Sequence, residues 1–143
     1  MTQYGPLLII VPAYNEESNV GHVVEEVHQV MGNVPLLVLD DCSSDATAAV
    51  ARAAGARVLS MPCHLGLGGC VQAGYRLAFE LGFDYVIRLD GDGQHDPRDI
   101  PHIYEALRES GCQMVIGSRF VESEGFQTSA IRSLGIRFFR TIL

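Results

Sequence analysis

Three aspartates, Asp90, Asp92 and Asp96, lie within seven residues of the segment "VIRLDGDGQHDP". Carboxylates this close repel one another unless a cation or hydrogen-bond donors offset their charge. Because Gly91 separates the first two, both carboxylates can turn to one side of a loop while the backbone approaches a ligand closely. Oxygen ligands of this kind suit Mg²⁺ or Mn²⁺, which complete their coordination with substrate phosphates. The segment therefore predicts a divalent-metal site, to which Gln94 could add an amide oxygen.

A solvated turn before a helix, with Asp96 as the helix cap, is the alternative interpretation of this segment. It leaves unexplained a second acidic cluster, Asp40-Asp41, in "VLDDCSSDAT". The Asp41 carboxylate could accept a hydrogen bond from a nucleobase ring N–H or from ribose hydroxyls, or it could cap the next helix. Glu16 is either a ligand contact or a charge in the first turn of a helix. Arg119 directly follows an apolar run, and its fork of donors suits phosphate.

Buried strands alternate with helical patterns along the chain. The strands are predicted in "PLLIIVP", "PLLVLDD", "ARVLSM", "DYVIRLD" and "QMVIGSRF". Strict alternation with short connections predicts a mostly parallel α/β sheet with helices on both faces. Ligands of such sheets bind beyond the carboxyl ends of the strands. The polar residues expected to meet there are Tyr14-Asn15-Glu16, Asp40-Asp41, Asp90 to Asp96, and Ser118-Arg119.

The charge distribution divides the chain into two parts. Residues 1–125 contain seven Arg and all seventeen acidic residues, whereas residues 126–143 contain three Arg and no acidic residue. Because an acidic body binds nucleic acid poorly, no nucleic-acid partner is expected. No window has the ~20 apolar residues of a membrane span, and no secretion signal precedes the first strand. The four cysteines form no C-x-x-C pair, so we expect a cytoplasmic protein with reduced, partly buried cysteines.

Four segments of the chain resemble family 2 glycosyltransferases with the GT-A fold. They are "LLIIVPAYNEE", "VLDDCSSDAT", "LDGDGQHDP" and "MVIGSRF", in this order and at this spacing. The likeness covers nearly the whole chain and is greatest to the branch of dolichol-phosphate mannosyltransferase and bacterial polyprenyl-phosphate glycosyltransferases. It implies a GT-A (Rossmann-like) fold that is C-terminally truncated, with residues 1–125 as the nucleotide-sugar-binding core.

The resemblance also implies an activity and a set of site residues. The activity would move a hexose from a UDP- or GDP-sugar to a dolichyl or undecaprenyl phosphate, with inversion and with Mg²⁺ or Mn²⁺ as cofactor. Asp90, Asp92 and Arg119 would be catalytic, with Arg119 on the phosphates. Asp92 and Gln94 would hold the metal, and Asp41 would bind the base. The residues implied to bind the nucleotide-sugar are Pro12, Ala13, Tyr14, Glu16, Asp41, Asp90, Gly91 and Asp92.

The chain departs from the family pattern at two places. The loop before the third helix usually reads N-x-G-K-G, and here His64 and Leu67 replace the Asn and the Lys. A D-P-T-S-G-F segment usual in the family is missing, and the sequence stops inside a helical pattern, so we expect a fragment. One alternative is a nucleotide-binding domain without turnover. Another is a sugar-1-phosphate nucleotidyltransferase, which would have a Gly-rich basic loop where this chain has "AYNEE".

The last segment, "QTSAIRSLGIRFFRTIL", has the pattern of a basic amphipathic helix. Its apolar stripe consists of Ile131, Leu134, Phe138 and Ile142. Three Arg beside the stripe favour contact of residues 127–143 with anionic lipid at the cytoplasmic face of a membrane. A stripe that packs on the protein's own core, or in a homodimer, is the alternative.

Overall fold

The structure, a computed structural model, describes residues 4–117. In this range the first four apolar runs form strands, and the amphipathic segments between and after them form helices. In chain order the elements are β1 (Leu7–Ala13), α1 (Val20–Met31), β2 (Leu36–Asp40), α2 (Thr47–Ala53), β3 (Arg57–Ser60), α3 (Gly66–Glu80), β4 (Tyr85–Arg88), a 3₁₀ turn (Pro97–Asp99) and α4 (Ile100–Ser110).

All four strands pair in parallel, in the order β3-β2-β1-β4. Val11 of β1 pairs with Val38 of β2, and on its other side Ile9 pairs with Ile87 of β4. The chain winds outward from β1 to β3 and then returns through α3 to the far side of β1. This reversal places a topological switch point beyond β1 and β4, where sheets of this kind bind ligands. The predicted parallel α/β sheet is confirmed.

Different helices cover the two faces of the sheet. Leu7, Ile9 and Val11 of β1 are buried in a core that includes side chains of α1, α2 and α4. Leu8 and Ile10 are buried in a second core with α3. The alternation follows from the strand period of two residues, which points successive side chains to opposite faces. The prediction of helices on both faces is therefore confirmed.

The predicted fifth strand is wrong over the part that the structure describes. Residues 113–117 pair with no strand, and the side chains of Met114 and Ile116 are largely exposed. An apolar run becomes a strand only where a neighbouring strand supplies backbone partners and burial. Arg119 and the predicted amphipathic helix at 127–143 lie outside the described residues, as does the predicted boundary between residues 125 and 126.

No helix within residues 4–117 combines the length and the apolar character needed to cross a bilayer.

The four cysteines differ in exposure, which gives a testable prediction. Cys42, Cys63 and Cys112 are exposed, so the expectation of partly buried cysteines holds only for Cys70. Burial raises the pKa of the Cys70 thiol to about 11, and the carboxylates of Asp41 and Asp40 add to this shift. Because the thiolate is the reactive form, iodoacetamide at pH 8 should modify three cysteines per native chain and the fourth only after unfolding.

Mass spectrometry of the intact chain measures this number directly. The Cys63→Ser variant should lose one native modification, whereas Cys70→Ser should keep all three. Four modifications of the folded wild-type chain would contradict the buried position of Cys70.

Candidate functional site

The loops that follow β1, β2 and β4 meet at the carboxyl edge of the sheet. The backbone N–H of Asp41 donates to the Ala13 carbonyl at 2.9 Å, and the N–H of Gly91 donates to the Pro12 carbonyl at 3.2 Å. A Cβ added to the buried Gly91 would lie only 3.1 Å from that Pro12 oxygen, so the close approach favours glycine. Pro12 and Ala13 are also buried. These residues therefore form the floor of the candidate site through their backbone.

Hydrogen bonds join the loop after β1 to the loop after β2. The Asn15 N–H donates to the Ser43 hydroxyl at 3.0 Å, and the Asn15 side-chain oxygen accepts from the Ser44 N–H at 2.9 Å. Asn15 (φ 54°) and Cys42 (φ 63°) both have left-handed backbone conformations, which Asn tolerates better than Cys. Such strain persists only where the surroundings impose it. The bonds between the two loops supply that constraint at the edge of the site.

Glu16 has a local structural role in the first of these loops. Its backbone N–H donates to the Thr47 hydroxyl at 2.8 Å, and its carboxylate accepts from the Asn19 side chain at 2.7 Å. Asn19 occupies the cap position of α1 but makes no side-chain cap hydrogen bond. The geometry favours the interpretation of Glu16 as a charge that orders the start of a helix.

Asp41 is only 3% exposed although it carries a carboxylate. Its Oδ1 accepts from the Leu65 N–H at 2.7 Å, and its Oδ2 lies 3.0 Å from Nδ1 of His64. The side chain does not cap α2, because the N–H of Thr47, the first residue of that helix, donates to the Asp45 carboxylate at 2.9 Å instead. Both oxygens are held by the loop before α3, and each keeps a second lone pair with which it can accept from a ligand.

Asp90 forms a two-point ion pair with Arg88, the last residue of β4. Nε of Arg88 donates to Oδ1 at 3.0 Å, and Nη2 donates to Oδ2 at 3.2 Å. Both side chains remain partly accessible, at 27% for Asp90 and 37% for Arg88. Bidentate pairs of this geometry are among the stronger charge-assisted contacts. The guanidinium therefore offsets part of the repulsion expected among the clustered aspartates.

Asp92 keeps one carboxylate oxygen open. Its Oδ1 accepts from the Gln94 N–H at 2.9 Å and closes the turn, whereas Oδ2 has no donor from residues 4–117. The Gln94 side chain is exposed at the same turn. No three His, Cys, Asp or Glu side chains in the described range gather into a metal site by themselves. One carboxylate and one amide oxygen nevertheless fit Mg²⁺ or Mn²⁺, which bind through few protein ligands and take the rest from water and phosphate.

Asp96 is the cap that the alternative interpretation predicted. Its carboxylate accepts from the Arg98 N–H at 2.9 Å, at the start of the 3₁₀ turn that begins with Pro97. Hydrogen bonds from the Arg98 side chain and backbone hold the pKa of Asp96 below its usual range. The acidic segment thus combines a structural aspartate at position 96 with an open carboxylate at position 92.

Several site contacts were not predicted from the sequence. The pairing of Arg88 with Asp90 had a signal, because side chains two apart on an extended strand lie on the same side. The contact of Leu65 with Asp41 had none, since it joins residues 24 positions apart through a backbone N–H. In the sequence His64 is only a departure from a family pattern, and the structure gives it a partner in the site, Asp41.

The fold of this chain is similar to that of solved structures. One is glucosyl-3-phosphoglycerate synthase from Mycobacterium tuberculosis in complex with Mn²⁺, uridine diphosphate and glucosyl-3-phosphoglycerate. The two are 30% identical with a TM-score of 0.60, over 71% of this chain and 39% of that one. The GT-A fold is thereby shown.

The chain belongs to glycosyl transferase family 2, whose family model matches residues 8–142. It is 37% identical to undecaprenyl-phosphate mannosyltransferase from Micrococcus luteus, over 80% of this chain and 49% of the relative. It is 32% identical to polyprenol monophosphomannose synthase from Mycolicibacterium smegmatis, over 80% of this chain and 45% of the relative. The chain thus spans about half the length of these curated relatives.

Proposed function

We propose that the protein is the nucleotide-sugar-binding part of an inverting glycosyltransferase that moves a hexose to a polyprenyl phosphate. The observation that carries the proposal is the convergence of three strand-end loops at the switch point, where Asp92 keeps an open oxygen beside Gln94. Membership of glycosyl transferase family 2 and the names of the curated relatives support the same activity.

Each part of the nucleotide-sugar has a proposed partner. Asp41 accepts from the base, and Tyr14, which is exposed and contacts His64, lines the nucleotide together with the backbone of Pro12 and Ala13. Asp90 contacts the nucleotide-sugar. Asp92 and Gln94 hold Mg²⁺ or Mn²⁺ against the diphosphate. A crystallised structural neighbour that contains Mn²⁺ and uridine diphosphate supports a metal of this class.

The proposed reaction is a single displacement. A phosphate oxygen of the acceptor bonds to the anomeric carbon, and the bond from that carbon to the nucleoside diphosphate breaks, with the electron pair leaving on the diphosphate. The acceptor oxygen is already anionic, so little general-base help is required. A bound divalent cation supplies charge neutralisation for the departing diphosphate. Arg119 is proposed to donate to the same phosphates.

A lipid-linked acceptor would present its phosphate at a bilayer surface. We propose that residues 127–143 contact that surface at the cytoplasmic face, where a basic amphipathic helix is attracted to anionic lipid. A homodimer through the same stripe is the competing role for this segment. The solved neighbour is crystallised with glucosyl-3-phosphoglycerate. A water-soluble phosphoglycerate is therefore the competing class of acceptor.

Calorimetry and a transfer assay test this proposal in sequence. The chain should bind UDP or GDP in Mn²⁺ and only weakly in EDTA. A protein of the full length of the curated relatives should then transfer label from UDP- or GDP-hexose to vesicles that contain undecaprenyl phosphate and not to 3-phosphoglycerate, whereas residues 1–143 alone should show little or no transfer. Loss of all metal-dependent binding would overturn the proposed site. Binding without transfer to either acceptor by the full-length protein would overturn the proposed activity and favour a nucleotide-binding domain without turnover.

A further inference from the structure

We propose that His64 is a positioning residue that sets the nucleobase preference of the site, favouring bases with a ring N–H donor. The inference rests on the proposed function, because it assumes that Asp41 faces the base. It assigns a role to a residue at which the chain departs from the family pattern, and it predicts the class of base, uracil or guanine, that the donor carries.

The first observation is the way His64 holds the Asp41 carboxylate. The Leu65 N–H alone fixes Oδ1 at 2.7 Å and would leave the carboxylate free to turn about this one bond. Nδ1 of His64 lies 3.0 Å from Oδ2 and 3.3 Å from the backbone carbonyl of the same residue, and with its proton on Nδ1 the ring is the second point of attachment. Two donors from adjacent residues therefore define the plane of the carboxylate, and with it the direction of the remaining lone pairs.

The second observation is the aromatic contact between His64 and Tyr14. Their ring centroids are 4.2 Å apart, with 36° between the ring planes. Tyr14 is 47% exposed and the His64 side chain 53% exposed, so the pair presents an accessible aromatic surface. A flat nucleobase can pack on such a surface, and base–aromatic stacking tolerates every base. The ring contact should therefore raise affinity without selecting a base.

The contact of His64 with Tyr14 affects nucleotide affinity, and its contact with Asp41 affects selectivity for the base. An ionised carboxylate only accepts hydrogen bonds, so Asp41 can pair with the ring N–H of uracil or guanine. At the corresponding position cytosine and adenine present a lone pair, which the carboxylate repels. A carboxylate locked by His64 cannot turn to avoid that repulsion. Selection of the base then depends on the Nδ1 donor, and stacking depends on the ring.

Two variants separate these roles. His64→Asn keeps a side-chain N–H donor close to the position of Nδ1 but removes the ring, whereas His64→Phe keeps a ring and removes the donor. His64→Ala removes both. His22→Ala is the matched control, because His22 is exposed on α1 and lies 3.3 Å from Glu26 of the same helix. The measurement is the dissociation constant of UDP, CDP, GDP and ADP in Mn²⁺, with thermal melting of each variant to verify folding.

The wild-type chain should bind UDP more tightly than CDP, or GDP more tightly than ADP. His64→Phe and His64→Ala should lower that ratio about tenfold, as expected for loss of a hydrogen bond to a charged group. His64→Asn should keep the wild-type ratio while weakening the binding of all four nucleotides by about fivefold. His22→Ala should change neither quantity.

Failure of the inference can be told apart from failure of the proposed function. A wild-type chain that binds UDP or GDP with a clear base preference, together with three folded His64 variants that keep this preference, would overturn the role of His64 and leave the proposed function intact. Equal affinity of the wild-type chain for all four ligands would also overturn it. Absence of any metal-dependent nucleotide binding would overturn the proposed function itself.

Discussion

Replacing Asp92 by asparagine is expected to weaken UDP or GDP binding about tenfold or more in Mn²⁺ and to leave the weaker binding in EDTA nearly unchanged. Asp92 provides an open carboxylate oxygen at the switch point, since its other oxygen is used by the Gln94 N–H. Asparagine can still accept that backbone hydrogen bond, so the turn should persist. The substitution therefore removes the charge that attracts the cation, and losses of this size are typical even for outer partners of metal sites.

A second carboxylate gives a charge-matched control for this experiment. Asp84 is exposed and precedes β4, at the amino end of the strand rather than at the site. Asp84→Asn changes the net charge by the same amount and should leave both dissociation constants unaltered. If Asp92→Asn weakened binding equally in Mn²⁺ and in EDTA, Asp92 would not be a metal partner. Isothermal calorimetry in the two buffers distinguishes these results.

The strands and the location of the site could be predicted from sequence because they depend on local patterns. Unbroken apolar runs such as "LLIIV" in β1 indicate strands buried on both faces, and the structure buries every residue of β1. Alternation with helices then fixes a parallel sheet, and parallel strands bring their carboxyl ends to one edge. This is why Asp41 and Gly91 were expected near one another, and both donate to the end of β1.

The chemical state of each site carboxylate could not be predicted in the same way. Asp90 is paired with Arg88, Asp41 with the loop before α3, and Glu16 with Asn19, whereas Asp92 closes its own turn and keeps Oδ2 without a donor from residues 4–117. These differences come from contacts between segments and from the direction of side chains. Hydrophobic periodicity in the sequence reveals neither. The prediction of a fifth strand was wrong for a related reason, because an apolar run does not reveal whether a partner strand lies beside it.

The packing of α3 on the sheet links stability to the site. Gly74 lies on the buried side of α3, and a Cβ added there would lie 2.5 Å from a methyl carbon of Leu39 and 3.3 Å from one of Ile10. Leu39 and Ile10 are both fully buried in the central strands, so neither can move without disturbing the core. The helix can approach the sheet this closely only because glycine has no side chain.

Gly74→Val is accordingly expected to lower the free energy of unfolding by about 1–3 kcal/mol, the usual cost of overpacking a core. Gly68→Ala is the control on the same helix, because an added Cβ there meets nothing within 4 Å. It should leave stability unchanged or raise it by up to about 1 kcal/mol through helix propensity. Urea denaturation measures both. Since the loop before α3 supplies both donors to Asp41, a displaced α3 should also weaken UDP or GDP binding at temperatures where the variant remains folded. Equal stabilities of the two variants would contradict the close packing at Gly74.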